Sequence, residues 1–260
     1  MALEIRHVSR TFEGSRKETL KDISLTIEKG EFVCIVGPSG CGKSTLLNIV
    51  AGLDQPTEGE LFLDGKKITA PGADRVVMFQ EHALYPWLNV MENVKFGMKM
   101  MGIPKEEQNR RAEHYLKMVQ LWDFRNYRIH EISGGMRQRT ALARALCLDG
   151  AMLLMDEPFS ALDKQTINKL RDDLEKIWEE TGKTVLFVTH SVEEAVFLAD
   201  RIVVLSDNPG CIKDIFKVDL PRPRRNDAEE FIKVRHNILT CVEREVEKFA
   251  KEEYDHEKSQ

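Results

Sequence analysis

The stretch Gly37-Pro38-Ser39-Gly40-Cys41-Gly42-Lys43-Ser44-Thr45 decides the fold. It fits the pattern G-x-x-x-x-G-K-[ST], and its flanks agree with that pattern. Before it, Phe32-Val33-Cys34-Ile35-Val36 is short, apolar and rich in β-branched residues, as a buried parallel strand is. After it, Thr45 to Ala51 reads as a helix stopped by Gly52. A strand, a glycine-rich turn and a helix in that order let several backbone N–H groups converge on phosphate oxygens, while the helix N-terminus adds positive potential. At this spacing Lys43 reaches the β- and γ-phosphates and the Ser44 hydroxyl ligates Mg²⁺. A chance glycine-rich turn would lack the strand and the helix. The stretch therefore predicts a bound nucleoside triphosphate.

Composition narrows the rest. A chain of 260 residues holds one large domain, or a core with a smaller subdomain, and 42% hydrophobic residues supply a core. Acidic residues number 43 against 38 basic, net −5, which argues against a nucleic-acid binder. Cys34, Cys41, Cys147, Cys211 and Cys241 are odd in number and form no C-x-x-C pair, the pattern of reduced thiols in a cytosolic protein. Met1-Ala2-Leu3-Glu4-Ile5-Arg6 has no signal-peptide character, and no run approaches the roughly 18 apolar residues that span a bilayer. Any membrane role thus calls for a partner.

In chain order, Leu3 to Val8 and Leu20 to Ile27 alternate as strands. Asp64-Gly65 joins Glu60–Leu63 to Lys66–Ile68 as a hairpin. Arg75 to Phe79 is a buried strand with Gln80 at its end. From about Pro86 the spacing becomes helical: Val90, Val94 and Met98 share a face, Lys105 to Val119 is an amphipathic helix, and Ser133 opens another. Strands resume at Ala151–Met155, Thr184–Thr189 and Arg201–Leu205, with a helix from Lys164 to Thr181 and a capping box at Ser191-Val192-Glu193-Glu194. The fold class is α/β, a P-loop NTPase core of RecA type with an antiparallel β-subdomain and an inserted helical subdomain. We expect the core domain over 1–220 and the insert over about 87–150. Residues 221–260 follow as a tail, the stiff connector Leu220-Pro221-Arg222-Pro223-Arg224-Arg225 and then an amphipathic helix carrying Phe231, Val234, Ile238, Val242, Val246 and Phe249. Packing of that helix on the core is the expected use of its apolar face, with a partner as the alternative.

Two further stretches carry chemistry. Met155-Asp156-Glu157-Pro158 ends an apolar strand, which suits Asp156 to Mg²⁺ and Glu157 to orienting and deprotonating water. In Ile132-Ser133-Gly134-Gly135-Met136-Arg137, Ser133 is a good N-cap and Gly134 and Gly135 bare their N–H groups ahead of a helix, a second phosphate-capable helix N-terminus. The P-loop alone can cradle a triphosphate. The economical use of both termini is a head-to-tail dimer, each ATP held by one chain's P-loop and the other chain's Ser133-Gly134-Gly135. Cys41 is either a reactive thiol whose alkylation blocks nucleotide binding, with MgATP protecting, or a shielded inert one.

These motifs, in this order, resemble the ATP-binding subunit of ABC transporters over residues 1 to about 220. Gly37–Thr45 looks like the Walker A loop, Gln80 like the Q-loop glutamine and Ile132–Met136 like the signature loop. Ala151–Glu157 looks like Walker B, Ser160-Ala161-Leu162-Asp163 like the D-loop and His190 like the switch histidine. The resemblance implies that Phe12 stacks on adenine, that Gln80 touches Mg²⁺ and water, that His190 contacts the γ-phosphate, and that Asp163 caps a helix and touches the dimer partner. Ile132 and Met136 replace the Leu and Gln of L-S-G-G-Q; Met136 loses a polar contact, whereas Ser133 and the glycine N–H groups do the phosphate work.

The resemblance also says what hydrolysis drives. In the family, a groove between core and helical subdomain receives a coupling helix from a membrane subunit, and Glu81-His82-Ala83-Leu84-Tyr85-Pro86-Trp87 would line it. Ordinary packing of Tyr85 and Trp87 under the subdomain is the plainer reading of those rings. The absence of a large C-terminal domain, Leu84-Tyr85-Pro86-Trp87 and Leu220-Pro221-Arg222-Pro223-Arg224 are similar to the nitrate, sulfonate and taurine group of bacterial importers. The expected partners are a second copy of the chain, a membrane-embedded permease, and a solute-binding protein acting indirectly, with the chain peripheral on the cytoplasmic face of the membrane. An exporter subunit is the nearest alternative. A DNA-repair ATPase would carry a long coiled coil between P-loop and signature, a translation factor two cassettes, and a P-loop kinase no need of Ser133-Gly134-Gly135.

Overall fold

The computed structural model describes residues 2–14, 17–80, 83–160 and 162–257, with side chains through Glu245 and at Glu247. The chain forms two compact units, Met1–Pro71 with Thr184–Gln260, and Gly72–Lys183. The first begins with β1 (Leu3–Arg10), β2 (Leu20–Ile27), β3 (Phe32–Val36), α1 (Lys43–Ala51), β4 (Glu58–Leu63) and β5 (Lys66–Lys67). The second carries β6 (Arg75–Met78), α2 (Val90–Met100), α3 (Lys105–Met118), α4 (Gly134–Cys147), β7 (Met152–Asp156) and α5 (Lys164–Thr181). The chain then returns to the first unit for β8 (Thr184–Val188), α6 (Val192–Leu198), β9 (Arg201–Leu205), β10 (Ile212–Lys217) and α7 (Glu229–Glu257).

In the first unit β3 is flanked by parallel β8 and β9, with Phe32 opposite Val185 and Cys34 opposite Ile202. All five of its residues are buried, which is why it reads as an unbroken apolar run rather than an alternating one. Adjacent parallel strands deliver their carboxyl ends to one edge, so the turn after β3 and Thr189-His190 after β8 emerge together. The second sheet of this unit has the order β2-β1-β4-β5 and is antiparallel, as expected for the β-subdomain. Its inward residues Leu3, Ile5, Leu25, Ile27, Leu61 and Leu63 are at most 4% exposed, each burial contributing about 1.5–3 kcal/mol.

The second unit pairs β6 parallel with β7, Val76 opposite Leu153. Its helices α2, α3 and α4 pack on one another. Val90, Val94 and Met98, spaced four apart, are all fully buried, as are Ala112 and Leu116 of α3. A capping box starts α2: Asn89 Oδ1 accepts from Glu92 N–H at 2.8 Å, and Glu92 Oε2 from Asn89 N–H at 2.8 Å.

Two elements differ from the sequence reading. Strand β10 was not expected; it pairs antiparallel with β9, Ile212 opposite Leu205. Lys213, Asp214 and Lys217 hide it, because an edge strand keeps its charges in solvent. The box at Ser191 forms by half. Ser191 Oγ accepts from Glu194 N–H at 3.3 Å, but the Glu194 carboxylate accepts from Thr189 Oγ1 at 2.6 Å, and Ser191 N–H donates to Thr189 Oγ1 at 3.0 Å. Thr189, just upstream, takes the partner that the box would have used. In α7, Phe231 and Ile238 are buried, with α7 packed on α6 and β9; the side chains of Val246 and Phe249 lie outside the described residues.

Candidate functional site

The turn after β3 is shaped by its glycines. Gly40 and Gly42 have φ of 85° and 93°, the left-handed region where a Cβ is costly, and Gly42 caps α1. A Cβ on Gly37 would come within 2.8 Å of the Leu205 carbonyl oxygen. The 206–211 loop, missed by sequence reading although Pro209-Gly210 marks a turn, supports this geometry. A Cβ on Gly210 would sit 2.0 Å from the Cys41 carbonyl oxygen, and Ser206 Oγ ties the loop through Cys211 N–H at 2.9 Å and the Pro209 carbonyl at 3.0 Å. Pro38 is buried, whereas Ser39, Gly40 and Ser44 are exposed and Thr45 is half-buried. The ammonium of Lys43 is folded into the turn, donating to the Gly37 and Pro38 carbonyls at 2.9 and 2.6 Å. A phosphate competes with those two carbonyls for the same cation.

The Cys41 thiol is fully buried, and burial raises its pKa above the ordinary thiol value against a smaller opposing pull from Lys43. A thiol that is both shielded and protonated is a poor nucleophile, which favours the inert alternative. We expect iodoacetamide to leave Cys41 unmodified in the native protein and to label it only in denaturant, by peptide mass spectrometry. Rapid native labelling that MgATP suppresses would overturn this.

His190 is exposed where β8 ends and α6 begins, between buried Thr189 and the N-cap Ser191. Phe12, just beyond β1, is 42% exposed, and the Arg10 guanidinium lies 4.5 Å from its ring centroid. Arg10 in turn pairs with Asp54 at 2.8 Å. Sequence reading found Phe12 but not this cation on its face, whose signal was the two-residue spacing from the end of β1.

In the second unit, β6 and β7 end at one edge and bring Gln80 beside the acidic pair. Gln80 Nε2 donates to Ser160 Oγ at 3.2 Å, and Ser160 donates to the Glu157 carbonyl from its hydroxyl at 3.1 Å and its N–H at 3.3 Å. Asp156 ends β7, half-buried. Glu157 has φ of 43°, a left-handed conformation for a residue with a Cβ. Such local strain persists where the surroundings over-determine it, and it clusters at functional positions.

Ser133 caps α4, its Oγ accepting from Met136 N–H at 3.3 Å. The two glycines serve packing as well as exposure. A Cβ on Gly135 would meet Thr166 Cγ2 at 2.7 Å, and one on Gly134 would meet Leu162 Cδ2 at 3.3 Å. Asp163 caps α5, accepting from Gln165 and Thr166 N–H at 3.1 and 3.0 Å and from the Thr166 hydroxyl at 2.6 Å. The Thr166 hydroxyl is the main cause holding the Asp163 carboxyl below its ordinary pKa. The Ser133 turn and the Asp163 cap thus meet at Thr166. Ala161, Glu81 and His82 lie outside the described residues.

Among the described residues no cluster of three or more His, Cys, Asp or Glu forms a metal cage. The Ser44 hydroxyl in the first unit and the Asp156 carboxylate in the second are each an oxygen donor of the kind Mg²⁺ takes, an ion that keeps waters and takes most of its other ligands from phosphate.

The chain matches the family model described as ABC transporter over residues 20–160. It is 50% identical over 251 residues to an uncharacterised ABC transporter ATP-binding protein of Methanocaldococcus jannaschii, covering 96% of this chain and 94% of that one. It is 46% identical to the nitrate import ATP-binding protein NrtD of Synechocystis sp., covering 90% and 89%, and 47% identical to the taurine import ATP-binding protein TauB of Roseobacter denitrificans, covering 83% and 82%. Its fold is similar to the dimeric structure of MJ0796, a bacterial ABC transporter cassette, with a TM-score of 0.73 and 36% identity over 84% of this chain and 100% of that one.

Proposed function

The chain belongs to the ABC transporter family as an ATP-binding subunit, an ATPase coupled to transport, and from that premise we propose that it powers an importer of a small anion, sulfonate or related small molecule. Nitrate and taurine, named for two relatives of nearly equal identity, are a small inorganic anion and an organosulfonate. Equal likeness to both fits a subunit that works on ATP and leaves cargo choice to its partners.

The proposed chemistry follows from the residues. Phe12 stacks on adenine. Gly37 to Thr45 cradles the triphosphate, with Lys43 released from its two carbonyls to neutralise β- and γ-oxygens. Ser44, Asp156 and Gln80 hold Mg²⁺ and its water. Glu157 takes the proton of the attacking water, and His190 contacts the γ-phosphate. The partner copy's Ser133, Gly134 and Gly135 close on the same phosphates, beside its Asp163. One observation carries this reading above the others: Glu157 keeps a left-handed backbone, pinned through Ser160, at the end of the strand that also carries Asp156.

We assign residues 1–220 to the cassette, about 87–150 to its helical subdomain, and 221–260 to the appended tail. Among the described residues no helix is long and apolar enough to cross a membrane. The proposed position, peripheral on the cytoplasmic face and docked on a permease, follows from the likeness to import ATP-binding proteins. The loop from Gln80 to Trp87 is the proposed docking element. Asn93, fully buried, fixes it by exchanging bonds with the Tyr85 N–H and carbonyl at 2.8 and 3.1 Å. The Tyr85 ring rests on Phe96 at 4.2 Å, so packing accounts for Tyr85, whereas Trp87 is 67% exposed and free to meet a partner. Affinity purification of the full chain from its native membrane should bring down a multispanning membrane protein and, with cargo, a solute-binding protein. Recovery of DNA or ribosomes in their place would overturn the transport reading.

A further inference from the structure

The connector after β10 was expected to be a spacer, yet two of its arginines, Arg222 and Arg224, are bound inside the fold. Arg224 is 6% exposed and spends its guanidinium on five backbone carbonyls. Its Nη1 donates to Val196, Phe197 and Ala199 at 2.8, 3.1 and 2.7 Å, its Nη2 to Val218 at 3.1 Å and its Nε to Leu220 at 3.3 Å. Arg222 Nη2 adds the Leu198 carbonyl at 2.8 Å and Asp200 Oδ1 at 2.9 Å. Four of these carbonyls, those of Val196, Phe197, Leu198 and Ala199, belong to the last turn and cap of α6, the groups that a helix C-terminus leaves without internal partners; those of Val218 and Leu220 follow β10. Two cations there also suit the negative end of the helix dipole.

Helix α6 has only seven residues, about 10 Å of axis at 1.5 Å per residue, so its two ends move as one body. Its N-cap is Ser191, the residue after His190. The tail reaches that first turn too: Asn226 Nδ2 donates to Glu193 Oε1 at 3.0 Å, and Arg235 stands 4.0 Å from Glu193 Oε2. The grip is therefore applied at both ends of the element that aims His190.

We infer that Arg224, assisted by Arg222, is a positioning residue for His190: the connector clamps the C-terminal end of α6 and so sets where the imidazole meets the γ-phosphate. This rests on the reading of His190 as the γ-phosphate contact. Arg224 itself touches no substrate. It acts through α6, and the tail thereby becomes part of the catalytic apparatus rather than a spacer.

The test is a double-mutant cycle on the full chain, with steady-state ATPase, nucleotide affinity by fluorescent ATP analogue, and thermal melting as readouts. Lysine keeps the charge of Arg224 but not the fork, so Arg224→Lys should lower kcat about 10-fold with KM and analogue affinity changed by less than about 2-fold. In a His190→Ala background the same change should cost less than about 2-fold more, since the group being aimed is already gone. Should Arg224→Lys fail to fold, Arg222→Gln, which leaves the Arg224 fork in place, takes its place in the cycle. An equal loss of kcat with and without His190, or unchanged kcat in a folded variant, overturns the inference. Near-normal turnover of His190→Ala by itself overturns the underlying reading of His190 and takes the inference with it.

Discussion

Changing Glu157 to Gln should lower ATP turnover by about 10²–10⁴-fold while ATP still binds, the loss typical of removing a positioned general base. The substitution is informative because it leaves the rest of the site alone. Gln has the same length and the same backbone preferences, so the left-handed φ of 43° and the two bonds from Ser160 to the residue's carbonyl oxygen are kept. What is lost is the carboxylate that accepts a proton as water attacks phosphorus. Single-turnover hydrolysis and equilibrium binding of ATP, measured side by side, check the two halves of the expectation. A Glu157→Gln protein with near-normal turnover would remove Glu157 from the chemistry.

The second large effect comes from sharing each nucleotide between two copies. Lys43→Ala removes the cation that meets the phosphates, and Ser133→Asp puts a carboxylate where the partner's phosphate is held while Asp still serves as N-cap of a helix whose N-terminus favours negative charge. Each variant alone should lose about 100-fold or more in ATPase rate, because charge stabilisation at a transferring phosphoryl group is lost at both sites of the dimer. Mixed in equal amounts, they should recover up to roughly a quarter of the unmodified activity: half the dimers are mixed, and in each of these one site collects both defects and the other is intact. Separate assays of the two variants and their mixture decide it. No recovery in a mixture shown to exchange subunits would refute the head-to-tail arrangement.

The parts that sequence reading found share a physical trait: each is written in local chemistry. Glycines at 37, 40 and 42, the apolar run 32–36, the cap at Ser133 and the acidic pair 156–157 declare themselves over a few residues, because turns, buried strands and helix starts are satisfied by near neighbours. Strand β2, helix α5 and strand β9 end where the apolar pattern ends for the same reason. The half-formed box at Ser191 shows the limit of that legibility. The residue types were right, but Thr189 outcompeted the expected backbone donor for Glu194.

Taken by itself, the sequence determined the family, the nucleotide chemistry and the order of the motifs, since these depend on residue types at fixed short spacings. Only the tertiary structure decided that Cys41 is buried, that Gly210 closes on the Cys41 carbonyl, that Gly135 packs against Thr166 and that Arg224 is buried on the carbonyls of α6. Each of these is a contact between segments distant in the chain, or a matter of burial. An arginine beside a proline has the same letters whether it faces water or five carbonyls. The difference lies in which backbone groups α6 leaves unpaired, and in the chain's return to them some 25 residues later.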